Sequence, residues 1–344
     1  MKYVFIAHSH TLLLTSLGVI NSLRIKEEDV IFICTRNYDA DYFPKGAQVI
    51  RGDNAFASLN EDIEKGGKEN IKNAIKRFDS DTKSWIHEKY QLFVPHLANP
   101  FFLLLYHHPL CLKVSFVQEG AFTSPGMFIN HRSFVYKLRR KFSFYRHTGS
   151  LRLYGSGNWF FDGVLDRQKK LDAYAIYSGF FKYLECDLHI VEWPDLKINL
   201  SSTIDGPIFI FDGFVKNHMA EKDFYLAQCE TMIENYHGQT NFLKFHPAQS
   251  EAERNCICNM FESKGLAYSV MDDKTPFELY ILKYNRMTVV GMSSSLLYYA
   301  QQRGHKVICC DTWMLKDETY RHYHDEGFPL FHEFFGIEKS DFKS

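Results

Sequence analysis

Residues 241–250 (NFLKFHPAQS) place a lysine, a histidine and a proline at the end of an apolar run. Pro247 biases the residue before it towards extended backbone, so His246 is expected at the end of a buried strand. A histidine there can donate a proton or a charged hydrogen bond near neutral pH. The alternative is a histidine that only caps the loop. Lys244 is expected at the same strand end.

Three consecutive serines, Ser293, Ser294 and Ser295, follow the apolar stretch MTVVGM and precede a helical pattern. Hydroxyl groups together with the free N–H groups of a helix start form a site suited to phosphate. The alternative is simple N-capping, for which one serine would suffice. Gly291 allows close backbone approach, but the sequence lacks the Gly-x-x-x-x-Gly-Lys pattern of a P-loop.

Three acidic residues also stand at the ends of predicted elements. Glu119 ends KVSFVQEG, where a carboxylate is either a general base towards a hydroxyl or an exposed loop acid. Glu278, in TPFELYI, is suited to a ribose diol, but its spacing from Thr275 is that of a capping box. Asp212, in FIFDGF, either lines a ligand site or forms an Asp-Gly turn.

The elements that must position these residues alternate between strand and helix patterns. In the first half, strands are predicted at KYVFIAH, DVIFICT, AQVIRG, LKVSFVQEG and CDLHIVEW, and helices at TLLLTSLGVINSL, 60–78 and 82–94. The polar segment 195–207 is the best linker. After it, strands are predicted at PIFIFDG, TNFLKFHP, MTVVG and HKVICCD, separated by helices. This alternation predicts an α/β fold with two Rossmann-like halves.

Composition limits the classes of function. The chain has 344 residues, enough for two domains, with an apolar fraction of 45%. Forty basic residues against forty-one acidic ones leave no net field to attract nucleic acid. The eight cysteines show no disulfide framework or zinc spacing, so free thiols are expected. No signal peptide or membrane span is recognised, and a cytoplasmic location is expected.

No metal site is predicted. Two Asp-x-Asp triplets, Asp39/Asp41 and Asp79/Asp81, are the only pattern that suggests a metal-bridged nucleotide sugar. Neither follows a clear strand, and Asp79 closes a helical pattern. Surface positions are therefore expected for all four carboxylates.

Together these segments resemble the motifs of bacterial sialyltransferases of the GT-B architecture. That family carries an acidic-acidic-Gly motif, a His-Pro motif and a Ser-Ser motif, in that order. Here they read Gln118-Glu119-Gly120, Lys244-Phe245-His246-Pro247 and Ser293-Ser294-Ser295, with a further Phe-Glu pair at 277–278. Gln118 departs from the pattern, because an acid is usual there. Related motifs occur in bacterial Kdo transferases, which also use a CMP-activated acidic sugar.

The resemblance implies a GT-B architecture, with two Rossmann-like domains and a cleft between them. Residues 1–195 would form an acceptor-binding domain carrying the general base. Residues 196–325 would form a CMP-sugar-binding domain, and 326–344 a segment packing back on the first domain. Folding is then expected to bring Glu119 and His246 to one shared crevice.

The activity that the resemblance implies is inverting transfer of sialic acid from CMP-Neu5Ac to a hydroxyl of a glycan acceptor. A galactoside of lipopolysaccharide, O-antigen or capsule would be the acceptor. Glu119 would be the base, and His246 would assist departure of the phosphate. The donor would be held by Lys244, Pro247, Glu278, Ser293, Ser294 and Ser295. Because CMP carries a single phosphate, no metal or other cofactor is expected. The alternatives are a CMP-Kdo-dependent transferase, a UDP-sugar enzyme, and a non-catalytic nucleotide- or sugar-binding protein of the same fold.

Two further features concern the acceptor. His8 and His10, after the first strand, either face it or belong to a structural loop. The basic run at 137–146 is either a solvated loop or a contact with anionic lipid at the inner face of the cytoplasmic membrane. A lipid-linked glycan would lie at that membrane.

Overall fold

The computed structural model describes residues 1–120, 134–154, 170–181, 184–196, 200, 203–273, 275–325 and 330–337. The chain divides into two compact units, Met1–Pro194 and Asp195–Ser344. The division falls at the start of the polar segment that was predicted as a linker.

The first unit contains a sheet of seven parallel strands in the order β3-β2-β1-β4-β5-β6-β7. The strands are β1 (Lys2–Ala7), β2 (Val30–Cys34), β3 (Gln48–Arg51), β4 (Tyr90–Val94), β5 (Cys111–Val117), β6 (Asp172–Ala175) and β7 (Asp187–Ile190). Every residue of β2 is buried, as expected for a parallel strand covered on both faces.

The described helices of this unit are α1 (His10–Ser22), α2 (Asp53–Lys65), α3 (Lys68–Trp85), α4 (Pro100–Tyr106) and α5 (Phe134–Thr148). Helix α1 is buried from Thr11 to Ile20. A β-carbon at Gly18 would lie 2.5 Å from the carbonyl oxygen of Glu192. The absence of a side chain at Gly18 therefore lets α1 pack directly against the segment after β7.

The helix predicted over 82–94 is wrong. Helix α3 ends at Trp85, and Tyr90–Val94 forms β4, which pairs with β1 on one side and β5 on the other. The Tyr90 hydroxyl donates to the carbonyl oxygen of Leu105 at 2.7 Å. Short apolar runs do not distinguish buried strands from buried helices, so only the pairing with β1 and β5 settles this segment.

The second unit contains a sheet of five parallel strands in the order β10-β9-β8-β11-β12. The strands are β8 (Ile208–Phe211), β9 (Thr240–Phe245), β10 (Ala267–Val270), β11 (Thr288–Gly291) and β12 (Lys306–Cys309). The helices are α6 (Lys222–Tyr236), α7 (Glu251–Ser263), α8 (Phe277–Lys283), α9 (Ser295–Gln302), α10 (Glu318–Asp325) and α11 (Phe331–Phe335). Ser250 and Glu253 form a capping box at the start of α7.

The described part of the C-terminal segment is hydrogen-bonded within the second unit. His332 Nδ1 and the Asp311 carboxylate are 2.8 Å apart, and Gln301 donates to the carbonyl oxygen of Gly336 at 3.0 Å. Residues 326–329 and 338–344 lie outside the described residues. The packing of 326–344 on the first unit stays a prediction.

Two simpler expectations can be compared directly with the structure. All eight cysteines are described, and none of them forms a disulfide. Within the described ranges, the helices are too short or too polar to cross a membrane.

In both sheets the strand order changes direction beside the first strand of the unit. The change occurs between β1 and β4 in the first sheet and between β8 and β11 in the second. Ligands of open α/β sheets bind outside the carboxyl ends of the strands at such a switch point. The residues that follow these strands therefore define where a site is to be sought in each unit.

Candidate functional site

Glu119 follows β5 at the carboxyl edge of the first sheet. Gly120 then takes a positive φ of 67°, a conformation that favours glycine. The Glu119 side chain is 19% exposed. It is therefore a half-buried carboxylate at the sheet edge, not the freely exposed loop acid of the alternative.

Gln118, the departure from the acidic motif, holds the turn that presents Glu119. Its side chain is buried, its Oε1 accepts from the N–H of Ile176 at 3.0 Å, and its Nε2 donates to the carbonyl oxygen of Gly120 at 3.1 Å. A carboxylate has no hydrogen to donate to that carbonyl. The amide is thus suited to this position where an ionised acid is not.

We expect Gln118→Glu to destabilise the first unit by at least about 2 kcal/mol at neutral pH, because a buried charge would face the Gly120 carbonyl. The loss should shrink at low pH, where the protonated acid can donate. Urea denaturation at pH 7 and pH 4.5 measures it. Gln239→Glu, at an exposed position, is the control, and equal effects of the two changes would contradict the role of Gln118.

Three basic side chains from other strand ends surround Glu119. His8, after β1, is hydrogen-bonded through Nε2 to Glu119 Oε1. Arg36, after β2, approaches the same oxygen at 3.5 Å with its Nη1. Arg36 and Asn37 both have positive φ, 61° and 54°, which is uncommon for residues other than glycine. His96, after β4, packs at a tilt against Phe102 with ring centroids 5.4 Å apart.

The charges around Glu119 keep it ionised. Burial alone would raise the pKa of Glu119, but the hydrogen bond from His8 and the positive charge of Arg36 hold it below its ordinary value. Burial lowers the pKa of His96 to about 4. Glu119 is therefore ionised at neutral pH, beside a neutral His96. The ionised carboxylate can accept a proton.

His10 lies beside this group in an aromatic cluster. Its Nδ1 is 2.6 Å from the Tyr42 hydroxyl and 3.0 Å from the Tyr38 hydroxyl. Tyr38 is buried and Tyr42 is partly exposed. His10 is thus held by the segment after β2, and Tyr42 is partly exposed beside it.

His246 follows β9 at the carboxyl edge of the second sheet, and its side chain is exposed. The N–H of Ala248 donates to His246 Nδ1 at 3.0 Å. Because Nδ1 accepts, the proton of the neutral ring lies on Nε2, which is then a hydrogen-bond donor. Partial burial and the nearby charge of Arg254 lower the pKa of His246, so the ring is neutral at pH 7.

Gly213, after β8, makes room for this imidazole. A β-carbon at Gly213 would lie 2.8 Å from His246 Nδ1, closer than real contacts of this kind. The ring therefore lies directly against the backbone of the neighbouring strand end. The Asp-Gly pair was predicted as either a turn or a ligand-site element, and its glycine has a specific packing role.

Lys244, near the end of β9, lies at the same carboxyl edge of the second sheet. Its Nζ donates to the carbonyl oxygen of Asp272 at 3.2 Å. Burial lowers the pKa of Lys244, and the nearby carboxylates of Asp273, Glu278 and Asp272 oppose that effect. Lys244 and Glu278 are therefore close enough to interact, as their shared assignment to one nucleotide requires.

The capping box considered for Glu278 does not form. The N-cap residue of α8 is Pro276, and the Thr275 hydroxyl donates instead to Asp272 Oδ2 at 3.2 Å. A capping box requires a Ser or Thr hydroxyl at the N-cap position, and Pro276 at that position has none. The capping explanation of Glu278 is therefore wrong, although Glu278 does lie in the first turn of the helix.

The serine segment lies at the end of β11. Ser294 is the N-cap of α9, and its hydroxyl accepts from the N–H of Leu296 at 3.4 Å. The N–H of Ser293 donates to Asp212 Oδ2 at 3.2 Å. One serine thus performs the capping that the alternative required, while Ser293 and Ser295 are partly exposed beside it.

Asp212 connects the strand ends in the middle of the site. It follows β8, between β9 and β11, and its side chain is buried. Burial raises the pKa of Asp212 to about 7, although hydrogen bonds from the backbone of Ser293 and Met292 oppose this. The Tyr225 hydroxyl bonds to the backbone of Asp212 from the other side, at 2.8 and 3.0 Å.

This raised pKa predicts a pH effect on stability. The folded state holds a proton on Asp212 between its ordinary pKa near 4 and about 7, whereas the unfolded state releases it, so this residue costs stability as pH rises through that range. Three pKa units correspond to up to about 4 kcal/mol. Asp212→Asn keeps an oxygen for the Ser293 N–H, so we expect it to be more stable than wild type at pH 8 but not at pH 5. Denaturation midpoints at both pH values measure this, and a difference independent of pH would contradict it.

The structure brings most of the predicted donor residues together. His246 and the serine segment flank the Asp212-Gly213 pair, and β9 and β11 lie two strand spacings apart, about 10 Å. Pro247 is exposed beside His246 and contributes no described hydrogen bond. The sequence did not single out the contact of His8 with Glu119, or the link from Asp212 to Ser293. The only signal in the sequence was that His8 and Asp212 each follow the first strand of their unit.

One carboxylate of each acidic triplet forms an ion pair. Asp39 Oδ1 is 2.5 Å from Arg51 Nη2, and Asp79 accepts two bonds from Arg152, at 2.7 and 2.8 Å. Within the described part of the chain, no group of three or more His, Cys, Asp or Glu side chains is arranged to hold a metal ion.

Comparisons with known proteins identify the fold. No protein-family model matches the chain, and no curated protein matches it either. The 2,6-sialyltransferase of Photobacterium sp. JT-ISH-224, in a ternary complex with the donor product CMP and the acceptor substrate lactose, matches with a TM-score of 0.54 and 12% identity over 95% of this chain and 76% of that one.

Two other solved structures are similar. The S. aureus MnaA–UDP co-structure has a TM-score of 0.50 and 9% identity, over 98% of this chain and 92% of that one. A sialyltransferase from Photobacterium damsela has a TM-score of 0.47 and 15% identity, over 95% and 79%. At such identities the likeness concerns the fold. The predicted class, α/β with the two Rossmann-like domains of the GT-B type, is confirmed.

Proposed function

We propose that this chain is an inverting glycosyltransferase that moves sialic acid from CMP-Neu5Ac to a hydroxyl group of a glycan acceptor. The observation that carries the proposal is the carboxyl edge of the second sheet. There the Nε2–H of the exposed His246, a serine-rich helix start and Lys244 with Glu278 lie around one switch point. These groups match the phosphate and the nucleoside of a nucleotide sugar.

On the donor side, each group has a distinct task. The Nε2–H of His246 donates to the phosphate. The negative charge of the phosphate raises the pKa of the His246 ring, so the ring more readily holds a second proton as the leaving group departs. Ser294, Ser295 and the free N–H groups of α9 hold phosphate oxygens. Lys244 binds the cytosine, and Glu278 accepts from the ribose hydroxyls. A single phosphate is then neutralised without a metal or other cofactor.

On the acceptor side, Glu119 removes the proton from the attacking hydroxyl. The hydroxyl oxygen forms a bond to the anomeric carbon while the bond from that carbon to the phosphate oxygen breaks. The configuration is inverted, and CMP leaves with the electron pair. The ionised state of Glu119 at the carboxyl edge of the first sheet favours this assignment.

The known structure with the same fold supports the choice of donor and acceptor classes. The Photobacterium 2,6-sialyltransferase is described with CMP and with lactose, a galactoside. We therefore expect a galactoside-containing glycan, in lipopolysaccharide, O-antigen or capsule, as the acceptor of this chain.

The test is a donor and acceptor screen. Incubation with CMP-Neu5Ac and a panel of galactosides, followed by mass spectrometry, should give a product heavier by one sialic acid residue. CMP should raise the melting temperature of the protein more than UDP does. Transfer from CMP-Kdo alone would identify a Kdo transferase, protection by UDP alone would indicate a UDP-sugar enzyme, and binding without turnover would indicate a non-catalytic protein.

We further propose peripheral contact with an anionic membrane through α5, which would serve a lipid-linked acceptor. Residues 134–148 include no acidic residue. Phe142 is 65% exposed, and Arg139 and Arg146 are exposed as well. The side chains of Lys137 and Arg140 lie outside the described residues. Sedimentation with vesicles should show binding to phosphatidylglycerol-containing but not to pure phosphatidylcholine membranes.

A further inference from the structure

His8 is a buried histidine whose described hydrogen bond is directed at the proposed base. Its side chain is 0% exposed, and its Nε2 is hydrogen-bonded to Glu119 Oε1. Its ring stacks on Phe102 of α4, with centroids 5.8 Å apart. His8 comes from β1 and Glu119 from β5, so the contact is made only in the folded sheet.

The proton on His8 can be located from its partners. A carboxylate only accepts hydrogen bonds, so Nε2 must be the donor. Nδ1 of His8 is buried without a hydrogen-bond partner among the described residues. The described hydrogen bond of His8 is therefore made by Nε2 as the donor.

The two carboxylate oxygens of Glu119 differ in their contacts. His8 and Arg36 both approach Oε1. Among the described residues, none is hydrogen-bonded to Oε2. Oε1 is thus the anchored oxygen of the carboxylate.

We propose that His8 is a positioning residue that holds Glu119 by Oε1 and so presents Oε2 as the oxygen that accepts the proton. This inference rests on the proposed function. In the transfer step, the proton of the acceptor hydroxyl moves to Oε2, the hydroxyl oxygen bonds to the anomeric carbon, and CMP departs. His8 keeps its own proton throughout.

The experiment compares His8→Leu with His8→Gln. Leucine removes the donor while filling the site, whereas glutamine can place an N–H near the position of Nε2. His108→Leu is the matched control, since His108 is equally buried and lies before β5 at the other end of the strand, where its Nδ1 accepts from the Leu110 N–H at 3.3 Å. It should lose stability without affecting Glu119.

Two measurements are made on each variant. The first is the pKa of the Glu119 carboxyl, from NMR titration of protein labelled at glutamate, assigned by the signal missing in Glu119→Gln. The titratable or charged groups that face Glu119 are His8, Arg36 and His96, and the last two are unchanged in these variants. The second is the separation of kcat from KM in the transfer assay, with its pH profile.

We expect His8→Leu to raise the pKa of Glu119, to shift the acidic limb of the pH profile upward, and to lower kcat roughly 10- to 100-fold with little change in the KM for the donor. His8→Gln should recover part of both effects. An unchanged pKa in His8→Leu overturns the proposal, even if no donor is ever turned over. An unchanged kcat in an active enzyme overturns it as well. Failure of every donor with the wild type, together with a shifted pKa in His8→Leu, would reject the proposed function but not the anchoring by His8.

Discussion

Glu119→Gln should lower kcat for transfer by about 10²–10⁴-fold, the range expected for loss of a general base. The amide is nearly the same size as the carboxylate and still offers an oxygen to the Nε2–H of His8. It cannot take a proton from the acceptor hydroxyl. The expected defect is therefore one of chemistry, and affinity for CMP should stay at the wild-type value.

The measurement is steady-state transfer with CMP-Neu5Ac, combined with calorimetric titration of CMP. Glu88→Gln is the matched control, because Glu88 is an exposed carboxylate that, among the described residues, pairs with the N-terminal amine at 3.4 Å. It should retain full activity. A fully active Glu119→Gln enzyme would refute the assignment of the base, whatever the donor.

His246→Ala should lower kcat by about 10²–10³-fold, because it removes one hydrogen-bond donor directed at the charge that develops on the leaving phosphate. Binding of CMP should weaken as well, since the same donor contacts the ground-state phosphate. Transfer kinetics and CMP titration measure the two effects separately. His237→Ala, at an exposed position after α6, is the control and should behave as wild type.

A second variant tests the orientation of the ring without removing it. The methyl group in Gly213→Ala would need space that the His246 imidazole occupies, 2.8 Å from Nδ1. We expect the ring to move away from the Ala248 N–H, with loss of the hydrogen bond that keeps the proton on Nε2. Histidine ¹⁵N shifts should show a mixture of tautomers, and kcat should fall. Histidine ¹⁵N shifts and a kcat equal to those of the wild type would contradict the role of the Nε2–H tautomer of His246.

These predictions separate the two halves of the reaction. If the proposed function holds, loss of Glu119 should affect removal of the acceptor proton, while loss of His246 should affect the phosphate. Each residue lies in its own unit, at the carboxyl edge of its own sheet. If both single variants lose transfer and only His246→Ala loses CMP affinity, the assignment of Glu119 to the acceptor side and His246 to the donor side is supported.

The sequence alone determined the fold class and which residues stand at the strand ends of the second sheet. Strand and helix patterns depend on local periodicity, so β8, β9, β11 and β12 could be located without coordinates. The carboxyl ends of parallel strands meet at one edge, which made Lys244, His246 and the three serines neighbours in prediction. Local signals such as the capping box of Ser250 and Glu253 were equally legible.

Only the tertiary structure decided the roles that depend on contacts distant in sequence. The pairing of His8 with Glu119, the fit of His246 against Gly213 and the bond from Asp212 to Ser293 each join different strand ends. Likewise, β4 was mistaken for a helix until its pairing with β1 and β5 was known. The physical reason is common to all of them: side-chain identity limits what a residue can do, but burial and partners determine which proton it holds and where it points.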